Sequence, residues 1–155
     1  MGGDRPPGRD RLAARQAELV AALVSGAPVP TGFDTRLVGA ARDALLNKRA
    51  GDVGRHWPML AAGLGAAWLP TFRTFAANRP TTGSLRDGWE LARELAAAGR
   101  LPGPAAEELA VREATWRYDG ASNPRPRRGP ALGRAGGTLV VRVAGRVRVL
   151  RGGRG

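Results

Sequence analysis

His56 is the single histidine of this 155-residue chain, and Asp52, one helical turn before it, is its nearest carboxylate in sequence. One imidazole and one carboxylate are too few for a zinc or iron centre, which takes three or four protein ligands. His56 therefore reads as a partly packed structural side chain beside Trp57 and Pro58. Asp87, Glu90 and Glu94 share a helix face but alternate with Arg86 and Arg93. That is the pattern of a solvated ion-pair face, with little reason for a carboxylate pair doing acid–base work. The absence of cysteine excludes disulfides, thiolate metal sites and cysteine nucleophiles. No Walker loop, dinucleotide fingerprint, nucleophile elbow or zinc spacing is present. Gly63-Leu-Gly65 lies in an apolar helical stretch, where glycines suit close helix packing better than phosphate binding. These residues predict no catalytic group, no metal and no cofactor: a chain that is not an enzyme by itself.

The net charge of +12 is unevenly spread. From Gly120 onward there are nine arginines and no acid, whereas the preceding residues are nearly balanced. Arg125, Arg127, Arg128, Arg134, Arg142, Arg146 and Arg148 suit an acidic partner, either a protein surface or the phosphates of a nucleic acid. Base readout also wants aromatic side chains or a basic recognition helix, and no aromatic residue follows Asp119. Non-specific nucleic-acid binding is the form this composition permits. Arginine is used almost to the exclusion of lysine, which fits a GC-rich genome and says little about chemistry. The N-terminus has no apolar signal-peptide core, and no stretch approaches 18 apolar residues. The expectation is a soluble, cytoplasmic protein without membrane contact.

The elements that must position these side chains are mostly helical. Residues 1–9 are rich in glycine and proline and are expected to be disordered. Residues 10–119 are expected to form a helical domain. A first helix over about 10–25, with Asp10 as N-cap, carries Leu12, Leu19 and Leu23 on one stripe and Val20 and Val24 beside it. Asp34 caps a second helix whose core stripe is Leu46, Ala50, Val53 and Trp57, ended by Pro58. A third helical stretch covers about 59–77, with a break near Leu69-Pro70. Ser84 caps a fourth helix to about Ala98, with Leu85, Trp89, Ala92 and Ala96 inward and Gly99 as C-cap. Pro104 opens a fifth helix to about Tyr118. Glu108–Arg112 and Glu113–Arg117 are its helical charge pairs and point to an exposed face. The fold class is thus mainly α: about five helices in a bundle, with a short C-terminal β-hairpin.

Residues 120–137 have the composition of a linker, and the chain then changes period over 138–155. Alternating valines in Thr138 to Leu150 predict a β-hairpin around Gly145. A two-residue Ala144-Gly145 loop would place Val141 opposite Arg148 and mix the faces. A three-residue loop pairs Val143 with Val147 and Val141 with Val149, and sets Arg142 against Arg148. The second register is preferred. Facing arginines would favour a nearby anion or acidic segment. The edge of a marginal hairpin can also accept a further strand, such as an extended peptide held by Arg142, Arg146 and Arg148.

The order of residues from Asn47-Lys48-Arg49 through Trp57-Pro58-Met59-Leu60, Leu64-Gly65, Trp68, Phe72 and Arg79-Pro80 to Ser84-Leu-Arg-Asp-Gly-Trp89 resembles a known bacterial family. That family, long labelled DNA-binding, consists of small proteins that accompany multinuclear non-heme iron-dependent oxidative enzymes. It includes the small partner subunit of the methanobactin biosynthetic pair. The resemblance covers about residues 12–119 and is nearest to the actinobacterial branch, where the unit occurs beside the iron enzyme or fused behind it. It implies an accessory role: docking on the oxidative enzyme and helping to present a ribosomally made precursor peptide, with the iron ligands left to the enzyme. The positions it marks for partner contact are Asn47, Lys48, Arg49, the His56-Trp57 pair before Pro58, and Arg79.

Overall fold

In the computed structural model, which describes residues 7–143 and 145–151, the chain is mainly helical with a small antiparallel β-sheet at its C-terminal end. The helices are α1 (Pro7–Ser25), α2 (Thr35–His56), α3 (Pro58–Leu64), α4 (Trp68–Ala76), α5 (Ser84–Ala97) and α6 (Gly103–Thr115). Residues 1–6 of the expected disordered N-terminus lie outside the described residues, and Pro7 to Arg9 open α1. Asp10 therefore stands inside the first turn and is not its cap. Over residues 8–25 of α1 only Ala22 is buried, and Leu12 of the predicted stripe and Val20 and Val24 beside it stay exposed.

Asp34 caps α2 as expected, its carboxylate accepting the backbone N–H groups of Arg36 at 2.8 Å and Leu37 at 3.3 Å. Replacing this cap (Asp34→Ala) is expected to cost about 1 kcal/mol, read as a lower urea midpoint at unchanged slope. The helix then buries Val38, Ala50, Val53 and, at its C-cap, Trp57. The predicted break at Leu69-Pro70 falls earlier, at a 3-10 turn over Gly65–Ala67. Gly65 takes a φ of +53° and ends α3, a conformation that side chains with a Cβ resist. Pro70 then sits in the first turn of α4, where its missing N–H has no helical partner to lose.

The core is built where α2 to α6 meet. Trp57, Trp89, Phe72, Leu60 and Val53 are all fully buried. Trp57 and Trp89 meet edge to face at 5.7 Å and 74°, a favoured aromatic geometry. Gly99 ends α5 with a φ of +66°, and the N–H of Arg100 bonds back to Leu95 O at 2.8 Å.

The helix from Pro104 stops at Thr115, short of the predicted Tyr118. Thr115 Oγ1 donates to Val111 O at 2.8 Å, and the chain becomes extended at Trp116. Strand β1 (Trp116–Arg117) pairs with β2 (Arg125–Pro126). Arg127 then straps the end of α6, donating through Nε to Glu113 O at 2.9 Å and Trp116 O at 3.0 Å. These are carbonyls that a helix terminus leaves without partners. The segment 120–137, read as a linker, thus contains structure of its own. It includes β3 (Ala131–Ala135), which pairs with β4 (Thr138–Val143) before β5 (Arg146–Arg151).

The predicted register of the last two strands is overturned. Val140 faces Val149, Val141 faces Arg148, Arg142 faces Val147 and Val143 faces Arg146. The strands are therefore joined by the two residues 144–145, with Gly145 at a φ of +76° as tight hairpin turns require. Arg142 and Arg148 do not oppose each other. The preference for keeping like residues on one face failed because Arg142 has inward work: its guanidinium donates to Arg127 O and Gly129 O.

Candidate functional site

The six positions marked for partner contact divide into an inner and an outer set. Trp57 is interior. Its indole N–H donates to Leu85 O at 2.9 Å, and the Arg112 guanidinium lies over its ring at 4.2 Å. Arg49 is nearly so, with a side chain 14% exposed. Its Nε donates to Asp87 Oδ2 at 2.8 Å, one terminal nitrogen donates to Arg79 O at 2.7 Å, and the group lies over Phe72 at 5.8 Å. This is the arrangement of a structural clamp joining α2 to the 79–87 segment.

Asn47, Lys48, His56 and Arg79 are exposed. Asn47 Oδ1 accepts from Arg73 at 3.5 Å, Lys48 pairs with Asp52 at 3.1 Å, and Arg79 pairs with Glu94 while covering Phe75 at 4.4 Å. His56 is exposed and not partly packed, because the chain turns at Pro58 and only its backbone carbonyl is used, as an acceptor for Arg112. Asp52, its sequence neighbour, is held by Lys48 and Arg55, and the Lys48 hydrogen bond leads in lowering its carboxyl below the usual range. Lys48 and Asp52 rim a groove of about 230 Å³ between α1, α2 and the 81–84 segment, floored by Leu23, Val24, Leu45 and Leu46.

The acidic residues of α5 depart most from the sequence reading. Asp87 is buried, not solvated, and accepts from Arg49, from the Thr81 and Thr82 hydroxyls at 2.9 and 3.1 Å, and from the Thr82 N–H at 3.1 Å. Glu90 accepts the Tyr118 hydroxyl at 2.7 Å, and burial pushes that phenol's pKa up. Glu113 does not pair with Arg117. It turns inward to accept Trp89 Nε1 and Arg93 Nε, each at 2.7 Å. The signal for Asp87 lay in Thr81-Thr82-Gly83-Ser84 just before it, since an acid near a helix start can reach back to preceding donors. Gly83, with no side chain to cap, and Ser84, already helical, leave that task to it.

At the sheet, Arg142 of β4 is half-buried and reaches the 127–129 strap, whereas Arg134, Arg146 and Arg148 are exposed. Among the described residues none of these three side chains makes an ion pair or hydrogen bond. No group of three or more His, Asp or Glu residues suited to a metal occurs among the described residues, and no helix there is long and apolar enough to cross a membrane.

The fold and the disposition of its charges define a small helical module, clamped internally by arginines, with a basic three-stranded sheet on its last helix. The chain belongs to the family described as SCO6045-like, C-terminal domain, whose model matches residues 13–97. It is also similar to a UPF0276 protein of Streptomyces avermitilis, at 39% identity over 139 residues. That alignment takes in 88% of this chain but only 28% of the relative, so the chain spans less than a third of that protein's length. No solved structure matches the chain.

Proposed function

We propose that the chain is a non-catalytic accessory protein that binds a multinuclear iron-dependent oxidative enzyme and helps recruit its ribosomally made precursor peptide. The observation that carries this reading is the alignment in which nearly the whole module is a minor part of a longer relative. In this reading the module serves a larger body, and the rest of that relative is the oxidative enzyme to which the module is fused. The resemblance in residue order from Asn47 to Trp89 points the same way. Asn47, Lys48, His56 and Arg79 are the members of the marked set free to meet the enzyme, while Arg49 and Trp57 hold the surface that presents them. The open edge of β5 suits an extended precursor, with Arg146 and Arg148 beside it for acidic side chains. Arg142, engaged inside, has no part in this.

The test is reconstitution of the full chain with an iron oxidative enzyme and precursor peptide from the same genome. Co-elution of chain and enzyme, and modification of the peptide only when the chain is present, is the expected result. Equal modification without the chain, together with separate elution, overturns the reading.

A further inference from the structure

One face of the three-stranded sheet is covered by α6, and the other is not. The covered face presents Gly133 and Ala135 of β3 and Thr138 and Val140 of β4, all buried against the helix. By strand alternation and the observed register, the opposite face carries Leu132 and Arg134, then Leu139, Val141 and Val143, then Arg146, Arg148 and Leu150. Leu132 is 67% exposed, Val143 54% and Leu150 52%. A sheet with one solvated face ordinarily alternates apolar inside with polar outside. The Leu139-Val140-Val141 run of the central strand is instead apolar on both sides, as in strands buried on both faces.

The register fixes where charge lies on this face. Leu132 is aligned with Val141 and Arg148, Arg134 with Leu139 and Leu150, and Val143 with Arg146. The apolar residues therefore form a diagonal band, with Arg146 and Arg148 at one corner and Arg134 at the opposite corner. We infer that this face is a docking surface for an amphipathic helix of a protein partner, with an apolar stripe along the band and Asp or Glu on both flanks. Three strands at ~4.8 Å spacing give a width that suits a helix of ~10–12 Å. The same sheet already seats one on its other side, the 13-residue α6. The sheet offers no charge complement of its own, because its strands carry no acid: none occurs from Gly120 onward. A second copy docking through the same face would bring arginine corners without carboxylates. Duplex DNA would match the arginines and leave the leucines and valines in water. Strand addition at the β5 edge leaves the band open, so this inference goes beyond the proposed recruitment of the precursor.

The test uses a fluorescein-labelled synthetic 14-residue helix with a leucine stripe and glutamates on both flanks, followed by anisotropy against the full chain. Comparison probes are the same peptide with lysines in place of glutamates, the glutamate peptide with a central proline, a 20-base-pair duplex, and phosphatidylglycerol vesicles. Saturable binding of the glutamate helix is expected, at least tenfold stronger than either comparison peptide. It should weaken at least tenfold with Leu132→Ser and with the Arg134→Glu, Arg148→Glu pair. These residues are exposed, so the variants should retain the wild-type melting temperature. Equal binding of the lysine peptide, indifference to the central proline or to Leu132→Ser, or tighter binding of the duplex or vesicles overturns the inference.

Discussion

Asp87→Ala is expected to lower the unfolding free energy by about 3–5 kcal/mol, a large share of the ~5–15 kcal/mol typical of a domain. The carboxylate is 2% exposed and the Arg49 side chain 14%. Removing the carboxylate strands a guanidinium within a site that water reaches poorly, along with the Thr81 and Thr82 donors aimed at it. Breaking one half of such a pair costs far more than the intact pair contributes, because the remaining charge keeps its desolvation penalty. Pairing Asp87→Ala with Arg49→Met should therefore be less damaging than the sum of the two single changes, which a double-mutant cycle in urea would measure. The same group gives an acid signature. Burial alone would raise its pKa, but the Arg49 hydrogen bond, the Thr82 N–H and the Thr81 hydroxyl outweigh it and hold the carboxyl below its ordinary value. A pKa lowered by folding contributes stability above the unfolded value, about 3.9, and that contribution is lost as pH falls through the folded value. Wild-type stability should thus fall more steeply below about pH 4 than that of Asp87→Ala. Parallel acid profiles would remove Asp87 from the account.

What was legible in the sequence was periodicity, and what was not was the destination of polar side chains. The stripe of Ala50, Val53 and Trp57 and the glycine stop at Gly99 follow from helical spacing and backbone freedom, and the structure keeps them. Asp87 and Glu113 sit at spacings that also make surface ion pairs, and no local pattern says that Arg49, 38 positions earlier, comes to meet one of them. The abundance of arginine fits a GC-rich composition, which hides its structural use. In the fold, Arg112 over Trp57, Arg79 over Phe75 and Arg93 over Trp89 and Tyr118 close the aromatic core with planar cations. A lysine ammonium lacks the flat face for that contact. The hairpin register turns on a related contact: Arg142 reaches Arg127 O and Gly129 O, acceptors that only the folded 120–137 segment brings near and that strand alternation does not reveal. Of the marked contact positions, the sequence does not distinguish the two that hold the fold together from the four that face outward, and among the hairpin arginines it does not set the engaged Arg142 apart from Arg146 and Arg148.

Gly133→Ala should separate the two halves of the molecule. A Cβ at Gly133 would fall on the carbonyl oxygen of Ala110, with Ala110 C at 2.8 Å and Ala114 N at 2.9 Å. These are backbone atoms inside α6, so no side chain can swing aside, and the sheet itself must move off the helix. Overpacking of this kind costs about 1–3 kcal/mol and sometimes more. Here the strain falls on the layer between α6 and β3, not on Trp57 and Trp89. Gly88→Ala is the useful contrast, since its Cβ would press on the Trp57 ring, with Cγ at 2.7 Å, and strike the central core. Hydrogen exchange should therefore show Gly133→Ala loosening the amides of β3, β4 and β5 while those of α2 and α5 keep their protection. Gly88→Ala should weaken α2 and α5 as well. If the division holds, Gly133→Ala also becomes a probe of function. It should impair binding at the sheet while leaving enzyme docking through Asn47, Lys48, His56 and Arg79 intact. Loss of protection throughout the helices in Gly133→Ala would show instead that sheet and bundle fold as one unit, and that neither surface can be altered without the other.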